Sequence, residues 1–326
     1  MVDIGITVMA NLDGVTDWLL EDSEPSVKYL TLTELLGVPK EDSRVEKARA
    51  LIAKKGWTAQ ILSKQNPEGW WFSGKSLSRP KYVATYWMLL ILSDLGVTSE
   101  DPRVRKGCNL LIDKFAKEDG GFGYDSMRTS EMCITASTTQ ALIKFGYDDI
   151  PEVKSALRWL LKDQKENGGW RCGWRRGIID GWEPMSLFAS YPKAKWTRGI
   201  KRAVELGAEF YLERELHKEG ARYEPWYRFH YPTHYYYDIL VGLDFLTALG
   251  YGNDRRLNYA LNLLREKRRP DGRWNLDAIH PDLGGQIAKQ YAKRPPLPFA
   301  FDEVGRPSKM ITLRALKVLK RTEASS

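Results

Sequence analysis

Two kinds of apolar stretch alternate along the 326-residue chain. In the first, apolar residues recur every three or four positions and charges fill the rest: Val104, Cys108, Leu111 and Phe115; Val153, Leu157, Leu160 and Leu161; Leu257, Ala260, Leu261 and Leu264. That spacing lays one stripe along one side of an α-helix, so these segments read as helices with their other side in water. The second kind, Tyr82–Ser93 and Met132–Ile143, holds no charged residue. Such helices must be covered on most sides. The pattern predicts outer helices near 43–64, 102–117, 151–165, 195–217 and 254–268. Inner helices are expected near 26–37, 80–95, 129–145, 182–190, 233–249 and 307–321. Residues 14–21 are a sixth outer candidate, placed to close a ring where the chain ends meet.

A glycine punctuates this alternation about every fifty residues, at Gly69, Gly120, Gly168, Gly220 and Gly272. Around it stand Gln65-Asn-Pro-Glu-Gly69-Trp-Trp71, Gly120-Gly-Phe122, Gln164-Lys-Glu-Asn-Gly168-Gly-Trp170 and Arg268-Arg-Pro-Asp-Gly272-Arg-Trp274; the Gly220 copy keeps only Arg222-Tyr223. A fixed period of this length signals one repeated supersecondary unit. Glycine supplies the left-handed conformation that ends a helix, the aromatic covers the helix end, and the Gln side chain can bond backbone groups left unpaired there.

The full pattern, Gln-x-x-x-Gly-x-Trp, at Gln65–Trp71 and Gln164–Trp170 resembles the repeats of squalene and other triterpene cyclases and of protein-prenyltransferase β subunits. Arg268–Trp274 matches without the Gln, and Gly120–Phe122 more loosely. The resemblance runs from about Ser26 to Thr322. It implies an all-α fold, an α/α toroid of about five to six helix pairs, with inner helices around a central apolar cavity. The whole of 1–326 is then expected to be one domain, with Asn275–Pro307, rich in Pro and Gly, as a lid or binding loop.

Composition fits a globular protein. No uncharged apolar run approaches the ~20 residues a membrane-spanning helix needs. Met1-Val-Asp-Ile-Gly lacks the basic start of a secretory signal. Cys108, Cys133 and Cys172 are odd in number and scattered, which argues against a disulfide framework. A cytoplasmic protein is the simplest expectation. The net charge of +8 implies a mild attraction to anions, including peripheral contact with a membrane. Basic residues are interspersed with acids, and no nucleic-acid-binding signature accompanies them, so no nucleic-acid partner is expected. The sequence names no protein partner.

In the geometry that the resemblance implies, the first turns of the inner helices line the cavity mouth. Tyr82, Tyr86, Glu131, Glu183, His234, Tyr235, Tyr237 and Asp238 fall there. Aromatic walls suit a long apolar ligand, and ring faces can stabilise a cation, although many of the Trp residues are also the turn anchors. In prenyltransferases a Gly-Gly-aromatic turn is followed by basic residues for the isoprenoid diphosphate, then by Asp-Gly-Cys, whose Asp and Cys bind zinc together with a later His. Arg175 and Arg176 match the basic residues, or are a solvated loop pair. Asp180-Gly181 matches the Asp-Gly, but Trp182 stands where the Cys should be. Two donors without a thiolate fall short of the three that zinc needs, so no metal and no cofactor is expected. His234 and Asp238, four apart, form a candidate proton-handling dyad or a satisfied buried histidine.

The Asp-x-Asp-Asp acid of triterpene cyclases and the Asp-Asp-x-x-Asp magnesium motif are both absent from this sequence. The expectation is an isoprenoid-handling enzyme that binds a polyprenyl chain in an aromatic cavity. His234, Asp238, Asp180 and Glu183 are its candidate catalytic residues. Arg175, Arg176, Tyr82, Tyr86, Glu131, Trp182, Tyr235 and Tyr237 are its candidate substrate contacts. A non-catalytic toroid that binds a lipid or a protein is the alternative. A sugar-active (α/α) barrel with two working carboxylates ranks third, because such barrels lack these turns.

Overall fold

The computed structural model describes residues 14–172, 179, 181–234, 236–279 and 301–323. Their helices are α1 (Pro25–Leu30, continued by a π turn over Thr31–Leu35), α2 (Ser43–Ile52), α3 (Gly56–Ser63), α4 (Thr85–Asp94), α5 (Pro102–Phe115) and α6 (Met132–Lys144). They are followed by α7 (Pro151–Asp163), α8 (Glu183–Ser190), α9 (Arg198–Glu213), α10 (Ile239–Leu249), α11 (Asn258–Glu266) and α12 (Lys309–Glu323). No strand occurs among the described residues, only isolated bridges such as Asn275 with Pro307.

The two hydrophobic patterns sort the helices into two rings. In α5 the buried side is Val104, Cys108, Leu111 and Phe115, with Gly107 between them. Every residue of α4 from Thr85 to Ser93 is buried, as is α6 from Met132 to Leu142. Burying a large aliphatic side chain contributes about 1.5–3 kcal/mol, so the uncharged helices are stable only with neighbours on both flanks. They have them. α4, α6, α8, α10 and α12 pack in succession, α12 returns to the π turn and α1, and α2, α5, α7, α9 and α11 back them from outside. The result is the α/α toroid that the sequence predicts.

The first described segment meets the last repeat and the last helix where the ring is expected to close. Residues 14–19 are helical, Trp18 lies under the Arg273 guanidinium at 4.3 Å, and Lys309 pairs with Glu21 at 2.8 Å.

Two departures from the expected boundaries have a clear local cause. The first outer helix is broken between α2 and α3. Gly56 takes φ +72° there, and the Glu24 carboxylate accepts from the Trp57 N–H at 3.0 Å. A Cβ at Gly56 would lie 2.4 Å from a Glu24 oxygen. The predicted 233–249 helix starts only at Ile239, because Asp238 is extended and its carboxylate caps the Val241 N–H at 2.8 Å.

The glycine turns share one construction. The indole N–H of Trp71, Trp170 and Trp274 donates to the carbonyl ten residues back, on Ile61, Leu160 and Leu264, at 2.8, 3.0 and 2.7 Å. The backbone N–H of Trp71, Phe122 and Trp274 donates to an inner-helix hydroxyl, on Thr85, Thr135 and Thr312, at 3.0, 2.9 and 3.0 Å. Gln65 Nε2 bridges the carbonyls of Gly69 and Arg103 at 2.9 and 2.8 Å; Gln164 Nε2 does the same with Gly168 and Ala203 at 2.7 and 2.8 Å. Each Gln thus ties its own turn to the next outer helix.

Candidate functional site

The inner helices end around a cavity of about 490 Å³. Asp94 closes α4 and Lys144 closes α6, each the charged end of a run of apolar and uncharged polar residues. Arg314, Lys317 and Arg321 on α12 face them across the cavity, with Asp244 on α10 and Glu34 on the π turn. The segment before α10 brings in Thr233 and His234, and the residue before α8 brings in Trp182.

Asp94 organises this cavity. One carboxylate oxygen accepts from Lys144 Nζ at 2.7 Å and the other from His234 Nε2 at 3.0 Å. Burial pushes the Asp94 carboxyl up, but Lys144 and His234 together outweigh it and hold the group well below the usual carboxylate range. An ionised carboxylate only accepts, so Nε2 donates to Asp94 and Nδ1 is the ring nitrogen left over. Nδ1 is buried and has no partner among the described residues.

The remaining charges are paired as well. Lys317 holds Glu34, and Arg321 holds Asp244 at 2.7 Å. Arg314 donates to Thr233 Oγ1 at 2.6 Å and lies 3.5 Å from Asp244. Burial raises the Asp244 carboxyl, and Lys317, Arg321 and Arg314 bring it below its ordinary value. Four cations face three carboxylates, which leaves the cavity positive before His234 is counted.

The structure redistributes the sequence candidates. His234 and Trp182 line the cavity. Asp238 does not pair with His234: its carboxylate holds His230 through Nδ1 at 2.6 Å and the backbone N–H at 3.0 Å. The predicted dyad is therefore replaced by His234–Asp94, because α10 starts after His234 and the two residues never share a helix face. Tyr82, Tyr86, Glu131, Glu183 and Tyr237 do not line the cavity. Tyr82 and Tyr86 pack on Trp87 with ring centroids 5.1 and 4.9 Å away. Tyr237 donates to the Leu216 carbonyl at 2.9 Å, and Glu183 is buried in the first turn of α8. Arg175, Arg176, Asp180 and Tyr235 lie outside the described residues, as does 280–300 of the lid candidate. Of its described part, Phe301 packs on Trp57 and Tyr231 at 4.9 Å each. Tyr82, Tyr86 and Tyr237 serve as packing, and in the lining of this cavity polar and charged side chains outnumber aromatic ones.

Comparisons with known proteins bear on this arrangement. No family model matches the chain. It is 28% identical over 186 residues to the lanosterol synthase of Aspergillus fumigatus, covering 54% of this chain and 23% of the synthase. It is 27% identical over 158 residues to the squalene–hopene cyclase of Bradyrhizobium diazoefficiens, covering 42% of this chain and 23% of the cyclase. The chain belongs to the terpene cyclase-like superfamily. The matched stretch spans under a quarter of each of these relatives. A solved structure of a variant of the type II terpene cyclase MstE from Scytonema, in complex with its product merosterolic acid A, superposes on this terpene cyclase-like chain with a TM-score of 0.50. It covers 98% of both chains at 14% identity, and the likeness is one of fold.

The prenyltransferase zinc positions do not fit that metal in this terpene cyclase-like chain. Trp182 supplies an indole in place of a thiolate and Asp180 lies outside the described residues, so among the described residues His234 is a single donor where zinc needs three. Sequence reasoning missed Asp94, Lys144 and Arg314. The signal for the first two was present, since each is a lone charge that ends an inner helix whose other residues carry none. Among the described residues, no helix is long and apolar enough to cross a membrane.

Proposed function

We propose that this chain is an isoprenoid-handling enzyme that holds the polar head of its substrate in the central cavity and transfers a proton through His234. The observation that carries the reading is the Lys144–Asp94–His234 chain of hydrogen bonds. Asp94 fixes the ring and its tautomer, which leaves Nδ1 to take up or return a proton, and Lys144 keeps Asp94 ionised while the ring is charged. The positive balance of the cavity favours a head group rich in acceptor oxygens. Superfamily membership supports an isoprenoid as the apolar part. Asp94 cannot act as the strong acid that protonates an alkene, because its neighbours hold it ionised.

A second reading, a non-catalytic isoprenoid carrier, draws on the pairing of each carboxylate in the cavity with a cation. Native mass spectrometry of the purified protein, with solvent extraction of whatever co-purifies, tests both. A bound isoprenoid that wild type converts and His234→Gln leaves unchanged establishes the enzyme. Recovery of the same unchanged lipid from both points to the carrier. A protein that emerges empty and also ignores added prenols and polyprenyl diphosphates overturns both.

A further inference from the structure

The second feature of this molecule that could carry chemistry lies at the start of α6. Cys133 is the second residue of that helix, and Cys172 follows the turn anchored by Trp170; both are buried. Their sulfurs are 3.5 Å apart. A carboxylate oxygen of Glu131, the residue that precedes α6, lies with them so that all three atoms fall within 4.8 Å of one another. The three side chains come from two repeat units and are positioned by backbone already described. The Glu131 N–H is bound to the Phe122 carbonyl at 3.0 Å, and Trp170 is pinned to Leu160 two residues before Cys172.

The geometry points to a metal site, and we propose that Glu131, Cys133 and Cys172 bind a borderline-soft divalent ion of the Zn²⁺ class. A tetrahedral ion with metal–sulfur bonds of about 2.3 Å places two thiolates about 3.8 Å apart, so the observed sulfurs need move only a few tenths of an ångström. Two sulfurs and one oxygen supply the three protein donors of an open zinc site, with the fourth position left for water or a substrate atom. Cys108 provides the contrast. Its thiol is buried on the packed side of α5, away from the other two cysteines, and burial pushes its pKa well above the usual thiol value, as befits an inert core cysteine. None of the three proposed ligands is among the positions that the prenyltransferase pattern marks for zinc, and the site does not depend on what occupies the central cavity.

Cobalt(II) is the probe, because thiolate ligation gives it an intense charge-transfer absorption that oxygen ligands do not. The full-length protein, reduced and freed of metal with a chelator, should bind one Co²⁺ with that absorption, lose it on addition of Zn²⁺, and have Cys133 and Cys172 protected from alkylation by Zn²⁺. Cys172→Ser and Cys133→Ser should abolish the band while retaining the far-ultraviolet circular dichroism of the wild type. Glu131→Gln should weaken Co²⁺ affinity by about tenfold or more. Absence of the band in folded wild type overturns the proposal, as does a band that survives Cys172→Ser. So does loss of two thiols to a disulfide under air with no metal uptake by the reduced protein. The Co²⁺ and Zn²⁺ titrations of wild type need no variant and decide the matter even if a serine variant fails to fold.

Discussion

The glycine turns and the central cavity are two polar regions of this toroid, and they are put together in opposite ways. At the turns, side chains bond backbone: an indole to a carbonyl ten residues back, a Gln to two carbonyls, a threonine hydroxyl to an aromatic's N–H, each repeated around the ring. In the cavity, the ion pairs join side chain to side chain across large sequence separations, as His234 does with Asp94, 140 residues away, and among the described residues that pair is not repeated. Backbone groups occur at every position, so a bond to backbone can be copied from unit to unit. A bond between two side chains needs both residues in place and is specific to one location. The turns therefore carry the architecture, and the cavity carries what is particular to this chain.

The comparison predicts the largest loss of stability at a turn. Trp170 is fully buried, and its N–H is satisfied by Leu160. Trp170→Ala removes the ring and leaves a cavity and an unmet carbonyl, and should destabilise the protein by about 3–5 kcal/mol. Equilibrium urea unfolding followed by far-ultraviolet circular dichroism measures it. A loss under about 1 kcal/mol would mean that the turn aromatics do not hold the ring together.

Next comes Asp94→Asn, which breaks the cavity's central pair. Removing one partner of a buried pair destabilises by about 3–5 kcal/mol; Asp94 retains some solvent contact, at 12% exposure, so about 3 kcal/mol is expected at neutral pH. The pH dependence identifies the cause. The folded-state pKa of Asp94 lies below its unfolded value of about 3.9. Its contribution is therefore complete above that pH and is lost as pH falls through the range below it. Wild type should lose more stability than Asp94→Asn between pH 7 and pH 3, so the two unfolding curves should converge in acid. Parallel curves would show that Asp94 acts by packing and not by charge.

These two residues also show how far the sequence could be read. Trp170 was legible because its role is local and recurs with a period, and the same holds for the outer stripes such as Val104–Phe115 and for the uncharged inner helices. The His234–Asp94 pair was not, because hydrophobic periodicity says nothing about which ends of two inner helices face each other. His234 was singled out, but with the wrong partner. Spacing alone placed Asp238 on its helix face, whereas capping of Val241 by Asp238 delays the helix until Ile239. The aromatic wall of the cavity could not be read for a related reason. Counting rings does not reveal whether they face a void, and Tyr82, Tyr86 and Tyr237 are packed against other elements.

A smaller effect separates two glycines that look alike in sequence. Gly168 and Gly220 both have positive φ, +85° and +68°, but a Cβ at Gly168 would lie 2.3 Å from the Leu206 carbonyl oxygen, while one at Gly220 meets nothing within 4 Å. Left-handed backbone costs a residue other than glycine about 1–2 kcal/mol. Gly220→Ala should destabilise by about 1 kcal/mol, and Gly168→Ala by about 2–3 kcal/mol because backbone must also move. Differential scanning calorimetry of the pair would read this as a larger drop in Tm for Gly168→Ala. Equal drops would show that the turn at Gly168 does not need its close approach to α9.

The smallest effect tests whether the turn design transfers to the copy that departs from it. Arg268 occupies the position that Gln65 and Gln164 hold in their turns, and it reaches the Gly272 carbonyl through Nε at 3.3 Å, longer than the 2.9 and 2.7 Å of the Gln copies. Its Nη2 is buried with no partner among the described residues, and its guanidinium lies 5.4 Å from the Trp274 ring centroid. Arg268→Gln relieves an unmet buried donor, an effect of about 1–3 kcal/mol. It also forfeits a cation–π contact of about 0.5–1 kcal/mol and some packing of the long side chain. The gain outweighs the loss by a narrow margin, so the variant should be more stable by no more than about 1 kcal/mol, seen as a small rise in the urea midpoint with an unchanged slope. A fall in the midpoint would mean that Arg268 contributes through its stacking on Trp274, and that this turn follows a rule of its own.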